Sequence, residues 1–255
     1  MLYYNTLFVG NVVHHFDQLS STNEHAFDLL AKSEPSEGTV ISTYDQTAGR
    51  GQIGRSWAST PGQNLTFSLI LYPRQLPVRQ QFLLSQAISL AVADTVAHYL
   101  PTHDVAVKWP NDIYLDRRKV AGILIQNSLQ GQQIRAAVVG IGLNVNQTVF
   151  PASVPNATSL AQASASTYIL EEVRGQLFQH LEQRYLALRG GAHATLQQHY
   201  LDRLLDYQVQ HTYQRATGER FVGRITGIDA QGRLVIRHGQ GEEHFSLGEV
   251  SRIAD

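Results

Sequence analysis

The 255-residue chain is 43% hydrophobic and 16% charged, carries a net charge of −1 and contains no cysteine. Such a composition suits a soluble globular protein with one large domain, or a medium domain and a small one. It excludes disulfides, thiolate metal sites and a chain-wide basic footprint for nucleic acid. No apolar run approaches the roughly 18 residues of a membrane span. The start, Met1-Leu2-Tyr3-Tyr4-Asn5-Thr6, lacks a basic stretch followed by an apolar one, so a cytoplasmic protein without a signal peptide is expected.

Residues 7–19 alternate loosely (Phe8, Val9, Val12, Val13, Phe16), the pattern of one or two short strands. His14 and His15 lie here, but adjacent strand residues face opposite sides, so they read as structural and not as a shared metal site. Ser20-Ser21-Thr22-Asn23-Glu24 supplies helix-capping groups ahead of a helix over residues 26–31. Hydroxyls and amides at a helix start can also hold a polar ligand group. The β-branched run over residues 39–44 is a strand, and it leads into the most informative stretch of the chain.

That stretch, Tyr44-Asp45-Gln46-Thr47-Ala48-Gly49-Arg50-Gly51-Gln52-Ile53-Gly54-Arg55-Ser56-Trp57, combines three glycines, two arginines and a terminal tryptophan. Pro61 and Gly62 keep the following residues in a loop. A glycine-rich cationic loop of this kind can wrap backbone N–H groups and guanidinium groups around an anion. Gly49-x-Gly51-x-x-Gly54 mimics a dinucleotide fingerprint, but that motif opens a helix and needs an acid about 20 residues later, where this chain has Arg74. The phosphate-loop match fails likewise, since arginine replaces the lysine and no helix follows.

Residues 65–72 form an apolar strand, and residues 79–100 a helix whose wide apolar face (Leu84, Ile88, Val92, Val96) implies burial against a sheet. Residues 105–115 contain Lys108-Trp109-Pro110-Asn111-Asp112, where Pro110 ends a strand and leaves Lys108, Asn111 and Asp112 on a rigid turn. Asp116-Arg117-Arg118 makes a tight turn into the strand of residues 119–126, in which Gly122 permits close approach of a ligand to the backbone. A hairpin at residues 130–133 leads to Gly140-Ile141-Gly142-Leu143-Asn144-Val145-Asn146, with amides at a strand end. Residues 168–189 and 192–205 read as helices. Beyond Asp206, short strands at 208–213, 221–228, 234–238 and 243–247 with glycine turns indicate a small β-barrel. We therefore expect two domains, 1–205 and 206–255.

Five segments together resemble the biotin protein ligases: Ser21-Thr22-Asn23, Gly49 to Trp57, Lys108 to Asp112, Lys119-Val120-Ala121-Gly122-Ile123-Leu124, and Gly140 to Asn144. The resemblance covers roughly residues 5–255 and implies an α+β fold. That fold has a mixed β-sheet catalytic domain of the biotin/lipoate ligase type (class II synthetase-like) followed by a small SH3-like β-barrel. It implies an enzyme that makes biotinyl-AMP from biotin and Mg-ATP, then passes biotin to one lysine of the biotin carboxyl carrier domain of a biotin-dependent carboxylase. By resemblance, Ser21, Thr22, Asn23, Gln46, Gly49, Arg50, Gly51, Gln52, Lys119 and Gly122 bind biotin, with Ser21, Thr22 and Gln46 on its ureido group. Lys119, Arg50 and Gln52 carry the chemistry, and Arg55, Trp57, Lys108, Asn111, Asp112 and Asn144 form the nucleotide side.

The chemistry requires such residues, because a carboxylate attacking the α-phosphate is repelled until cations and Mg²⁺ neutralise the charge. Gln52 stands where the best-known bacterial members carry an arginine that helps retain the intermediate, so faster escape of biotinyl-AMP is expected. About twenty residues precede Ser21, too few for the winged-helix domain of repressor members, so neither DNA nor a membrane is an expected partner. The family contains monomers and homodimers. Rival readings are a lipoate or octanoate ligase or transferase, which shares the catalytic architecture, and a non-catalytic biotin-binding module. The Gly-Arg loop with Lys-Trp-Pro-Asn-Asp favours biotin, and intact Arg50, Lys119 and Asn144 argue against the module.

Overall fold

Seven strands form the first sheet: β1 (Val13–Leu19), β2 (Val40–Gln46), β3 (Leu65–Leu71), β4 (Val105–Lys108), β5 (Asp112–Leu115), β6 (Arg118–Gln130) and β7 (Gln133–Leu143). They appear in a computed structural model that describes residues 4–52, 54, 56–239 and 241–253. Their spatial order is β1-β2-β3-β7-β6-β5-β4. The pair β1 and β2 is parallel, bridged by helix α1 (Thr22–Lys32), and the other neighbours are antiparallel, so the sheet is mixed.

All seven residues of β3 are buried because both faces of the sheet are covered. On one face Ile41, Ile70 and Val138 pack with Ala26 of α1, flanked by Phe16, Phe27 and Leu30. On the other, Val40, Leu69, Leu71 and Val139 join the main core with α2 (Phe82–Tyr99) and, past the short α3 (Leu160–Ser164), with α4 (Leu170–Arg189). Helix α5 (His193–Asp202) packs beside α2. Helix α2 therefore lies between the sheet and α4, which explains its broad apolar surface. It begins three residues later than its sequence pattern suggests, because residues 78–80 form a 3₁₀ turn behind Pro77. The expected tight turn is present: Asp116 and Arg117 both take positive φ (47° and 63°), as a two-residue hairpin demands.

Of the one or two short strands expected over residues 7–19, one forms. Strand pairing is confined to residues 13–19, while the N–H groups of Leu7, Phe8 and Val9 donate to the Glu182 carboxylate on α4 at 2.7, 2.8 and 3.1 Å. A side chain satisfies these donors, so no ladder is needed. No helix among the described residues is long and apolar enough to cross a membrane.

The second sheet is antiparallel and contains β8 (Gln210–Arg215), β9 (Arg220–Ile228), β10 (Leu234–His238), β11 (Gly241–Phe245) and β12 (Val250–Arg252), in the order β11-β10-β9-β8-β12. The fifth strand, three residues long, was too short to show an alternating pattern. The small SH3-like unit expected at the C-terminus is present, and among the described residues no pairing joins β11 to β12, so its ladder is not closed. Tyr213, Ile225, Leu234, Ile236 and Phe245 form its interior, continuous with the main core.

Candidate functional site

The site starts where β1 hands over to α1. Ser21 caps the helix, its Oγ accepting from Glu24 N at 3.4 Å, and Ser21, Thr22 and Asn23 are all buried. Gln46, at the end of β2, accepts from Thr22 N (2.9 Å) and from Thr22 Oγ1 (3.1 Å) through its Oε1. With Oε1 thus engaged, Nε2 faces Gly49, where an added Cβ would lie 2.7 Å from it. Asn23 donates through Nδ2 to Gln126 Oε1 (2.9 Å) and Leu124 O (3.3 Å). Its Oδ1 accepts from Ser68 Oγ at 2.6 Å, and Ser68 Oγ lies 2.7 Å from Thr22 Oγ1. Ser68 is fully buried in the middle of β3.

Two glycines of β7 carry the site onward. A Cβ on Gly140 would lie 2.3 Å from Asn23 Oδ1, and one on Gly142 would lie 2.2 Å from the Trp57 indole. Gly142 pairs with Gly122 of β6, whose added Cβ would meet the same indole at 3.0 Å and Lys119 Cε at 3.4 Å. Residues i and i+2 of a strand share a face, so Gly140 and Gly142 run from the neutral polar end to Trp57 and Lys119. Glycine is required at these positions by close contact, not by an unusual φ.

The loop after β2 is closed by Trp57 N donating to Gly49 O at 2.9 Å and by a bridge between Arg50 and Ser56. Arg50 is exposed and ion-paired with Glu24. Gly51 and Gln52 are half-buried, and Arg55 lies outside the described residues. The buried Trp57 Nε1 has no hydrogen-bond partner among the described residues.

At the charged end Lys119 Nζ lies 2.7 Å from Asp112 Oδ1. Strand β6 is pinned there, since Lys119 N donates to Asn156 O and Thr158 N donates to Lys119 O (2.7 and 2.9 Å). Lys108, exposed, donates from Nζ to Tyr114 Oη at 3.3 Å and sits over that ring. Asn111 is buried. Asn144 donates to Thr158 O (2.9 Å), leaving its buried Oδ1 without a partner among the described residues. Among the described residues no group of three or more His, Asp or Glu side chains could hold a metal.

The sequence reading grouped Trp57 with Lys108 and Asn111; the structure puts its ring against Gly122 and Gly142, with Lys119 Nζ 6.0 Å from the ring centroid. It read Asp112 as support for the turn, whereas its carboxylate also engages Lys119. Two members of the neutral cluster, Ser68 and Gln126, were missed. For Ser68 the available signal was a hydroxyl in the middle of an apolar strand; Gln126 offered none.

This geometry can now be set beside known proteins. Residues 15–144 match the model of the Biotin/lipoate A/B protein ligase family, and residues 214–252 that of the biotin protein ligase C-terminal domain. A biotin–acetyl-CoA-carboxylase ligase of Mycobacterium tuberculosis is 33% identical over 91% of this chain and 86% of its own length. The chain belongs to the biotin protein ligases of this family. The bifunctional ligase/repressor BirA of Bacillus subtilis is 30% identical over 95% of this chain and 74% of its own. Among solved structures, the Aquifex aeolicus biotin protein ligase in complex with biotin and ATP has the same fold. It superposes with a TM-score of 0.80 at 24% identity and covers 96% of this chain and all of that one.

Proposed function

We propose that this biotin protein ligase activates biotin with ATP to biotinyl-AMP and transfers the biotinyl group to a specific lysine of a biotin carboxyl carrier domain. One observation carries the reading: the Gly140–Gly142 line of β7 joins a neutral cluster (buried Ser21 and Thr22 with half-buried Gln46) to Lys119 across an apolar wall formed by Trp57. A cyclic urea needs neutral donors and acceptors, its aliphatic tail an apolar wall, and its carboxylate a cation; the site presents them in that order. Relatives named as ligases of acetyl-CoA carboxylase support the carrier as acceptor.

In the first step a carboxylate oxygen attacks the α-phosphorus, forming the acyl–phosphate bond as the bond to pyrophosphate breaks. Lys119 holds the carboxylate and then the charge that grows on the phosphate oxygens. For Lys119 to do so, Asp112 has to share it with the substrate. In the second step the acceptor amine attacks the acyl carbon, forming an amide and releasing AMP and a proton. Arg50, on a glycine loop, is the cation able to swing from Glu24 onto the linkage and help exclude water. Gln52 brings no charge to that closure, so we expect biotinyl-AMP to escape faster than from a Gln52→Arg variant.

Mg²⁺ fits this donor set as an ion delivered on the nucleotide. The Asp112 carboxylate and the unpartnered Asn144 Oδ1 offer hard oxygen ligands, and no all-protein cage exists among the described residues. Bound there, it would neutralise phosphate charge.

The reading is tested by ATP–pyrophosphate exchange with the purified protein and biotin, lipoate or octanoate. Exchange with biotin alone is expected. Exchange with lipoate or octanoate instead would move the protein to the sister activity, and biotin binding without exchange would make it a non-catalytic module.

A further inference from the structure

The turn between β4 and β5, which delivers Asp112 to Lys119, is gripped by residues far away in the chain. Trp109 Nε1 donates to Gly232 O at 2.9 Å, across to the hairpin that joins β9 and β10. Gly232 adopts φ +85°, and a Cβ there would lie 2.5 Å from the Phe82 ring, so the hairpin tip presses against the start of α2. Phe82 meets Tyr200 edge-on, with centroids 5.7 Å apart. Tyr200, fully buried on α5, donates from Oη to Pro110 O at 2.7 Å. The contacts close a circuit from Gly232 through Trp109 and Pro110 to Tyr200, Phe82 and back.

The hairpin is itself braced. The Asp229 carboxylate accepts from Gln231 N, Arg233 N, Arg233 Nε and His244 Nδ1 at 3.0, 2.9, 2.7 and 2.8 Å. Partial burial pushes its pKa up, but the hydrogen bonds from His244 and Arg233 prevail and hold it at about 2. The carboxylate therefore stays ionised at any working pH, and the Gly232 carbonyl is offered from a fixed frame.

We infer that Trp109 and Tyr200 are positioning residues through which the Asp229–Arg233 hairpin of the C-terminal sheet sets the nucleotide side of the site. The inference rests on the adenylation reading above. Among the described residues, none of the hydrogen bonds of the neutral cluster around Ser68 involves a member of this circuit, so the hairpin acts on ATP use and leaves recognition of the biotin ring untouched.

The test uses the full chain with Trp109→Phe, Tyr200→Phe, Asp229→Ala and the double variant Trp109→Phe/Asp229→Ala. Pyrophosphate exchange is followed against ATP and against biotin, with biotin affinity measured by calorimetry and folding by thermal melting. Each phenylalanine variant removes one hydrogen bond and is expected to lower kcat/KM for ATP about fivefold, with biotin affinity held within twofold. Because Asp229 acts through Trp109, its substitution adds little in the Trp109→Phe background. Additive losses, equal losses toward biotin and ATP, or unchanged ATP kinetics would each overturn the inference. Tyr200→Phe keeps the buried ring and preserves the test if Trp109→Phe melts early. A wild-type protein inactive with every acid overturns both readings; an active wild type with indifferent variants overturns this one alone.

Discussion

The neutral end of the site around Ser68 and the charged end around Lys119 satisfy their polar groups in different ways. Around Ser68, hydroxyls and amides of three strands and a helix start bond to one another in a network whose centre (Thr22, Asn23 and Ser68) is buried and whose ends (Gln46 and Gln126) reach the surface, and it exists before any ligand arrives. Around Lys119, cations are held by carboxylates instead: Lys119 by Asp112, and Arg50 by Glu24 at the loop. A neutral network is cheap to keep because its members lose little water unpaired, whereas a lone cation beside an apolar floor is costly until a counter-charge is present. On the function proposed above, recognition of the ring would thus be prebuilt, and the machinery for the reacting anions kept engaged by stand-in carboxylates for the substrate to displace.

The largest break in that contrast is expected from Lys119→Gln. It leaves the neutral network intact and removes the cation at the reacting carboxylate, so exchange kcat should fall on the order of 10²–10³-fold while ring-side contacts persist. Equal losses of biotin affinity and kcat would place Lys119 in uniform binding and not in catalysis. An intermediate effect is expected from Ser68→Ala, which strips a donor from buried Asn23 Oδ1. A biotin KM about tenfold higher with the KM for ATP unchanged is the expected kinetic signature, since one orphaned buried acceptor costs about 1–3 kcal/mol. A raised KM for ATP would contradict the separation of the two ends. The smallest effect belongs to Glu24→Gln. The Arg50–Glu24 pair is exposed, with side chains 60% and 41% accessible, and solvent screening limits its value to below about 0.5 kcal/mol. Thermal melting should barely move, and a large drop would mean that the loop is structurally braced by Glu24.

What the sequence disclosed follows from chain distance. The glycine–arginine loop, the Lys108-Trp109-Pro110-Asn111-Asp112 turn and the Asp116-Arg117 hairpin are each specified by neighbouring residues, so their form was legible. Ser68 bonds to Asn23, 45 residues away, and Asn23 to Gln126, 103 residues away, so nothing local marks them as one cluster. Trp57 ends the glycine loop in sequence, but only the pairing of Gly122 with Gly142 decides which floor its ring meets. Leu7, Phe8 and Val9 belong to the loosely alternating stretch of residues 7–19, yet their N–H groups are claimed by Glu182, more than 170 residues away. Tyr200 was legible as a helix residue, but its bond to Pro110 was not, for the same reason.

The Glu182 carboxylate also gives the molecule a reporter of its own opening. Its three N–H donors at Leu7, Phe8 and Val9 are sheltered by a side chain of α4 and not by a neighbouring strand. Their amide protons become exchangeable once the Glu182 carboxylate lets go of them, as it must when the N-terminal segment and α4 part. Exchange rates at half-buried Phe8 and buried Val9 therefore set a lower bound on the free energy of that separation, apart from the unfolding of the sheet.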